Sequence, residues 1–200
     1  EVDVSLRADD LDPAARATLV SVREEIDRLA RIVDDLLTLA SVDEHGLELA
    51  TEKVDMRTVV ERAVAGIHPI AARRSVELDV AGDSAPVAAD PERLRQAIGN
   101  VVENAVKFSP SGGTVAVRTE ANGNAVRVTV ADDGPGIAVG DRDRIFERFF
   151  RADGARARGG SGLGLAIARE IVVAHGGAIR FEPREPRGST FSIELPANGR

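Results

Sequence analysis

The 200-residue sequence predicts an α+β fold in which helices lie on one face of a mainly antiparallel sheet, with a bundle-forming helix in front. Three observations carry this expectation. Apolar residues repeat in heptads from Leu19 to Ala40. Asp12-Pro13 and Asp90-Pro91 both pair an N-capping side chain with proline at the first helical position, where a missing N–H costs nothing. Two alternating segments flank Asn122-Gly123, and helical and strand patterns elsewhere mix without strict β-α-β order.

The elements follow in chain order. Val2, Val4 and Leu6 before Asp9-Asp10 read as the tail of an earlier helix. Leu19, Val22, Ile26, Leu29, Val33, Leu36 and Ala40 then alternate spacings of three and four, which is the seam of a bundle or coiled coil. Ile32, Leu37 and Leu39 widen the apolar face toward a bundle. The pattern alone also suits an amphipathic helix lying on its own domain, but the unbroken heptad favours self-association. A second region starts near Gly46. A short strand ends at Val54, and Asp55 caps a helix to about Ala72. Val76, Leu78 and Val80 alternate as a strand, with a further one at 86–89. Asp90 opens a helix to Phe108, and strands at 113–120 and 125–130 form a hairpin across Asn122-Gly123. A last helix over 162–174 precedes strands at 178–182 and 190–195.

Composition narrows the function. With no cysteine, disulfides, thiolate metal sites and cysteine nucleophiles are excluded. A net charge of −7 repels a phosphate backbone and argues against nucleic acid as a partner. No apolar run in these residues is long enough to span a bilayer, and none reads as a signal peptide. Because the sequence opens at Glu1 rather than Met, a fragment is expected, with any membrane anchor upstream.

Three segments carry chemistry. On the helix after Asp90, Leu94, Ile98, Val101, Ala105 and Phe108 share a face suited to the sheet. Asn100, Glu103, Asn104 and Lys107, at i, i+3, i+4 and i+7, share another. Amide oxygens and a carboxylate are hard ligands suited to Mg²⁺, and a lysine one turn on can meet phosphate. A plain solvated face would look the same. Asp132-Asp133-Gly134-Pro135-Gly136-Ile137 stands at a strand end. There, glycines permit close ligand approach and a carboxylate can accept from an exocyclic amine, although Asp-Gly also marks ordinary turns. Gly159-Gly160-Ser161-Gly162-Leu163-Gly164-Leu165 opens a helix whose exposed N–H groups would cradle phosphate. The segment lacks a Walker Gly-Lys-Ser/Thr and the dinucleotide spacing, so a flexible loop stays open as an alternative.

In this order the segments resemble the boxes of bacterial sensor histidine kinases. Residues 90–109 resemble the N box, 132–137 the G1 box, Arg144 to Phe150 the F box and 160–165 the G2 box. Residues 11–43 resemble the second dimerisation helix. The resemblance implies a Bergerat-type two-layer α/β sandwich, shared with gyrase, chaperone and mismatch-repair ATPases. It divides the chain into a partial dimerisation hairpin over 1–45 and an ATP-binding catalytic domain over 46–200. It implies that Asp132 recognises adenine, that Asn100 and Asn104 hold Mg²⁺ and phosphate, that Glu103 acts as base or orients the acceptor, and that Lys107 contacts phosphate. Phe108, Gly134, Gly136, Ile137, Arg148, Gly160, Ser161, Gly162, Leu163 and Gly164 complete the ATP-binding set. Phe108 stands where the family often carries tyrosine.

Mg-ATP, a cognate response regulator and a homodimer through the N-terminal helices are the implied cofactors and partners, in the cytoplasmic part of a membrane sensor. The acceptor histidine of the family lies in the first dimerisation helix before an Arg-Thr-Pro stretch. His45, His68 and His175 lack that context, so the acceptor is expected before Glu1. A gyrase-like clamp ATPase and a nucleotide-binding adaptor without turnover are the competing classes. The seam argues against the first, and the intact Asn100, Glu103 and Asn104 set argues against the second. Residues 138–161, rich in arginine and ending in glycines, read as a mobile lid, with Ile145, Phe146, Phe149 and Phe150 as an apolar patch for the dimerisation helices.

Overall fold

The computed structural model describes residues 12–152 and 160–197. The expected remnant of an earlier helix at 1–7 and the tip of the expected lid lie outside them. The first element is a long helix, α1 (Pro13–His45). It is followed by β1 (Glu52–Asp55), α2 (Met56–Arg73), β2 (Glu77–Gly82), β3 (Pro86–Ala89), α3 (Pro91–Phe108), β4 (Thr114–Asn122) and β5 (Ala125–Asp132). A short 3₁₀ turn at Val139–Asp141, then α4 (Gly164–Ala174), β6 (Ala178–Pro183) and β7 (Ser189–Pro196), complete the chain.

Five strands form one sheet in the order β2-β4-β5-β7-β6. Only β2 and β4 run parallel; the other pairs are antiparallel. β1 and β3 pair separately as a two-stranded ribbon. This ribbon joins the main sheet where Ala88 N–H donates to Ala197 O at 3.2 Å. The expectation of α+β with a mainly antiparallel sheet and helices laid against it therefore holds.

The core forms because alternating strand residues meet the apolar stripes of the helices. β4 and β5 turn Val115, Val117, Val126, Val128 and Val130 inward, all at most 2% exposed. Across from them, Leu94, Ala97, Ile98, Val101, Val102, Ala105 and Val106 of α3 are fully buried. Alternation of period two and a stripe of period 3.6 thus meet in one layer. Phe108, placed on this stripe by spacing, is only half-buried at the end of the helix.

Several boundaries moved by one or two residues. β4 runs through Asn122, which pairs with Ala125, so the hairpin turn is Gly123-Asn124 with Gly123 at φ +60°. α4 begins at Gly164 instead of 162, because the two preceding residues still belong to the glycine loop. α2 carries Pro69 and still continues to Arg73. Asp55 caps α2 by accepting from Arg57 N–H at 3.0 Å, whereas Asp12 makes no side-chain capping bond to α1.

α1 faces two ways. Thr38 and Leu39 are about 5% exposed, and Arg93 of α3 donates to Thr38 Oγ1 at 3.4 Å. The heptad seam faces outward, with Val22, Ile26, Leu29, Val33 and Leu36 between 43% and 54% exposed. The helix therefore does not cover its own domain with its apolar stripe. No helix of the described residues is long and apolar enough to cross a membrane.

The layered core makes a direct prediction. Ile98, with no exposed surface, should leave a cavity when cut to alanine. Ile98→Ala should cost about 2–5 kcal/mol of unfolding free energy in urea titrations.

Candidate functional site

Asp132 ends β5 with its carboxylate inside the protein, at 2% exposure. Its Oδ1 accepts from Gly134 N–H at 2.8 Å. Across the sheet it pairs with Ser189 of β7, which gives it further hydrogen bonds. Burial raises its pKa above the ordinary value of 3.8, while the bonds from Gly134 and Ser189 pull it back down and the neighbouring Asp133 charge pushes it up. A carboxylate this deeply buried at a strand end is unusual unless a donor is there for it to accept from.

The glycines around it leave no room for side chains. A Cβ on Gly134 would lie 2.6 Å from Asp132 Oδ1 and 3.1 Å from Phe108 O. Gly136, at φ +75°, sits under Gly188. Phe108 ends α3, so the carboxylate and the end of α3 lie against the same glycine turn. Ile137 packs on the core, and its carbonyl accepts from Arg142 Nε at 3.2 Å.

The second part of the site is built by α3 against the start of α4. Asn100, Glu103, Asn104 and Lys107 are all half-buried on the polar face of α3. Asn100 Nδ2 donates to Gly164 O at 3.1 Å. Lys107 Nζ stands 2.5 Å from where a Cβ of Gly160 would be, and 5.2 Å from the Phe108 ring centroid. The helix thus touches the glycine loop at two points, and the residues selected by spacing are brought together. Ser161 Oγ accepts from Leu163 N–H at 3.3 Å. The Leu163 side chain is fully buried in the core, so only its backbone can face a ligand. Arg148 is exposed and lines an open cleft of about 340 Å³ with Asp141, Arg144, Glu147 and Phe149. That cleft includes neither Asp132 nor Asn100.

The expected lid is corrected in its first half. Ile145 is 9% exposed, and Phe146 and Phe150 pack against the core. Phe146 meets Phe191 edge-on at 6.4 Å. Three of the four apolar residues assigned to an external patch are therefore internal anchors; only Phe149 stands out, at 63% exposure.

Sequence reasoning missed the partners that hold these groups. Asp133 Oδ2 accepts from Thr114 N–H at 3.0 Å, and its Oδ1 pairs with Arg184 at 2.7 Å. Ser189 reaches Asp132 only through sheet pairing, which leaves no local signal. His175 is buried and hydrogen-bonded at the end of α4, and His68 is exposed on α2. The His45 side chain lies outside the described part.

The donor set can be tested against Mg²⁺. Among the described residues, no group of three His, Cys, Asp or Glu side chains could cage a metal. With its Nδ2 held by Gly164, Asn100 keeps its Oδ1 as a ligand atom, and Asn104 lies one turn along. Few protein ligands of hard oxygen type fit Mg²⁺ bound together with phosphate oxygens and water.

A buried acceptor at a strand end, facing a helix that meets a glycine loop, defines a nucleotide-binding class of site. The family model described as histidine kinase-, DNA gyrase B-, and HSP90-like ATPase matches residues 89–199, and the chain belongs to that family. It is 39% identical over 181 residues to the sensor histidine kinase CusS of Escherichia coli strain K12, a match that covers 90% of this chain and 38% of CusS. The chain thus spans well under half of the length of that relative. The crystal structure of full-length ShkA in complex with AMPPNP superposes with a TM-score of 0.80 at 33% identity, over 96% of this chain and 40% of ShkA. Histidine kinase ThkA in complex with response regulator protein TrrA gives a TM-score of 0.72 at 25% identity, over 98% of this chain and 55% of ThkA.

Burial of Asp132 has a consequence for pH. An acid whose folded-state pKa lies above its unfolded value binds more protons when folded, so its ionisation withdraws stability as pH climbs from 3.8 through the folded-state value. Asp132→Asn keeps an acceptor for Gly134 and removes that ionisation. In urea titrations the variant should gain stability relative to wild type across that window and keep the gain at neutral pH. A gap between the two that does not change with pH would show that Asp132 carries no such strain.

Proposed function

We propose that this chain is the catalytic region of a sensor histidine kinase, which binds Mg-ATP and transfers its γ-phosphoryl group to a histidine for relay to an aspartate of a response regulator. The observation that carries this reading is the buried Asp132 carboxylate, set apart from the place where α3 meets the glycine loop at Asn100–Gly164 and Lys107–Gly160. Relatives named as sensor histidine kinases, the AMPPNP complex of ShkA and the response-regulator complex of ThkA support it. Residues 46–200 form the catalytic domain in this reading, and residues 1–45 part of a dimerisation hairpin whose exposed seam on α1 packs against a second copy. In this reading the intact protein sits at a membrane, with this part in the cytoplasm.

Each residue then has a task. Asp132 accepts a hydrogen bond from the exocyclic amine of adenine, while Gly134 and Gly136 let the base approach the backbone. Phe108 and Ile137 supply apolar contact. The N–H groups of Gly160, Ser161, Gly162 and Gly164 face the phosphates at the positive end of α4, that of Leu163 joins them on leaving Ser161 Oγ, and Lys107 and Arg148 add charge. Asn100 and Asn104 would hold Mg²⁺, which would supply positive charge to offset that of the phosphates. Glu103 orients the acceptor imidazole and takes its proton as the N–P bond forms and the bond from the γ-phosphorus to the bridging oxygen breaks, releasing ADP. Most of the catalysis is positioning and charge stabilisation.

Calorimetry tests the adenine assignment. Asp132→Asn should weaken Mg-ATP binding by about 1.5–3 kcal/mol, the usual worth of a hydrogen bond to a charged group. Wild-type affinity in the variant would remove Asp132 from the site.

Phosphoryl transfer gives the second test. His175 is internal and neither His45 nor His68 has the sequence context of an acceptor, so the chain should bind γ-labelled ATP without acquiring an acid-labile label. A separately supplied helical hairpin that carries an acceptor histidine should become labelled in trans, slowly, because tethering no longer raises the local concentration. Asn104→Ala should abolish that transfer and flatten the Mg²⁺ dependence of ATP binding. Label mapped to His45, His68 or His175 would overturn the assignment of acceptor.

A further inference from the structure

We infer that His175 is a positioning residue for the phosphate end of the site, a role that rests on the nucleotide-binding reading above. His175 follows the last turn of α4 and is 6% exposed. Its Nε2 accepts from the backbone N–H of Asp90 at 3.0 Å, and its Nδ1 lies 2.7 Å from Ile171 O. A backbone N–H can only donate and a carbonyl can only accept, so the ring is the tautomer with its proton on Nδ1. The imidazole therefore joins the start of α3 to the end of α4, and both of its nitrogens are used.

Asp90 extends the joint. Its Oδ1 accepts from Glu92 and Arg93 N–H groups at 3.1 and 3.0 Å and so caps α3. Its Oδ2 accepts from Ala50 N–H at 3.0 Å, which ties down the segment that follows α1. One residue thus fixes where α3 begins, and His175 fixes where α4 ends against it.

The consequence is a register. The two helices run antiparallel, and about 15 Å along each of them, at 1.5 Å per residue, Asn100 meets Gly164. Two turns further along α3, Lys107 meets Gly160. The amide of Asn100 sits at 3.1 Å from its acceptor, so a slip of about 1 Å between the helices breaks that bond and displaces the loop from Asn100, Asn104 and Lys107. Asp132 is held on the sheet by Gly134 and Ser189, and Phe108 keeps the end of α3 against Gly134, so a slip moves α4 and its loop and not the base end. His175 should therefore govern how phosphate is held and leave the base end alone.

The test uses the whole 200-residue chain, with four variants read for Mg-ATP affinity, adenosine affinity and unfolding in urea. His175→Leu keeps bulk and removes both bonds. His175→Gln keeps an acceptor near the position of Nε2 and a donor. His175→Asn is shorter and cannot reach Asp90, and it serves if the leucine variant does not fold. Ile193→Ala, in the sheet core, is the stability control.

His175→Leu, or His175→Asn in its place, should weaken Mg-ATP at least about tenfold with adenosine affinity unchanged. The Asn100 side-chain amide resonance should move to that of an unbonded amide. His175→Gln should recover most of the affinity, and Ile193→Ala should lose stability without the split between ATP and adenosine. Equal loss for ATP and adenosine, the same split in the control, or no recovery by glutamine would reduce His175 to a purely structural residue. A wild-type chain that binds neither nucleotide would instead sink the functional reading on which the inference stands.

Discussion

The position of α3 depends on Asp90. Its carboxylate caps the helix and holds Ala50, and its backbone N–H is received by His175. Such groups are costly when buried without partners, and each of these has one. The arrangement is also compact: the linker, the start of α3 and the end of α4 converge on one side chain and one peptide. Helix geometry then sets the direction of every later side chain on α3. The apolar face meets the sheet, and the polar face meets the opening of α4, because the two stripes are separated by rotation around a helix whose origin does not move.

The site itself divides into a sheet end and a helix end with different physics. At the sheet end, a single carboxylate is kept in the protein interior against the cost of its desolvation, partly offset by Gly134 and Ser189. At the helix end stand a lysine, amide groups and a helix N-terminus bordered by glycines, which in the proposed reading receive the phosphates. Glycine is required at both ends for a steric reason. A side chain at Gly134 would press on Asp132, one at Gly160 would displace Lys107, and one at Gly162 would strike the backbone of Phe149 and Phe150. In the first half of the arginine-rich segment, Ile145, Phe146 and Phe150 pack on the core.

α1 relates to the rest of the molecule through a small contact. Thr38 and Leu39 are buried and Arg93 reaches Thr38, while the seam from Val22 to Leu36 remains outside. An exposed apolar stripe of this length is unfavourable in water, and in the proposed reading a second copy covers it. Arg93 belongs to the capped first turn of α3, so α1 touches the same turn that Asp90 holds.

Local pattern made much of this legible. The heptad seam, the Asp90-Pro91 helix start, the alternation in β4 and β5, and the i, i+3, i+4, i+7 set on α3 each follow from the periodicity of helix or strand and require no knowledge of distant contacts. The order of the glycine motifs pointed to the family as well. The sequence could not show that β1 and β3 leave the main sheet to form their own ribbon, or that β2 and β4 run parallel, because strand partners are chosen by packing between segments far apart in the chain. It did not show that Phe146 and Phe150 turn inward while Phe149 does not, since an arginine-rich stretch has no single period to read. Nor did it show that Ser189 would serve Asp132 or that His175 would serve Asp90. Hydrogen bonds across a sheet or between two helices exist only after the chain has folded, and so the local sequence determined the elements and the chemistry they carry, while the tertiary structure decided which groups hold them in place.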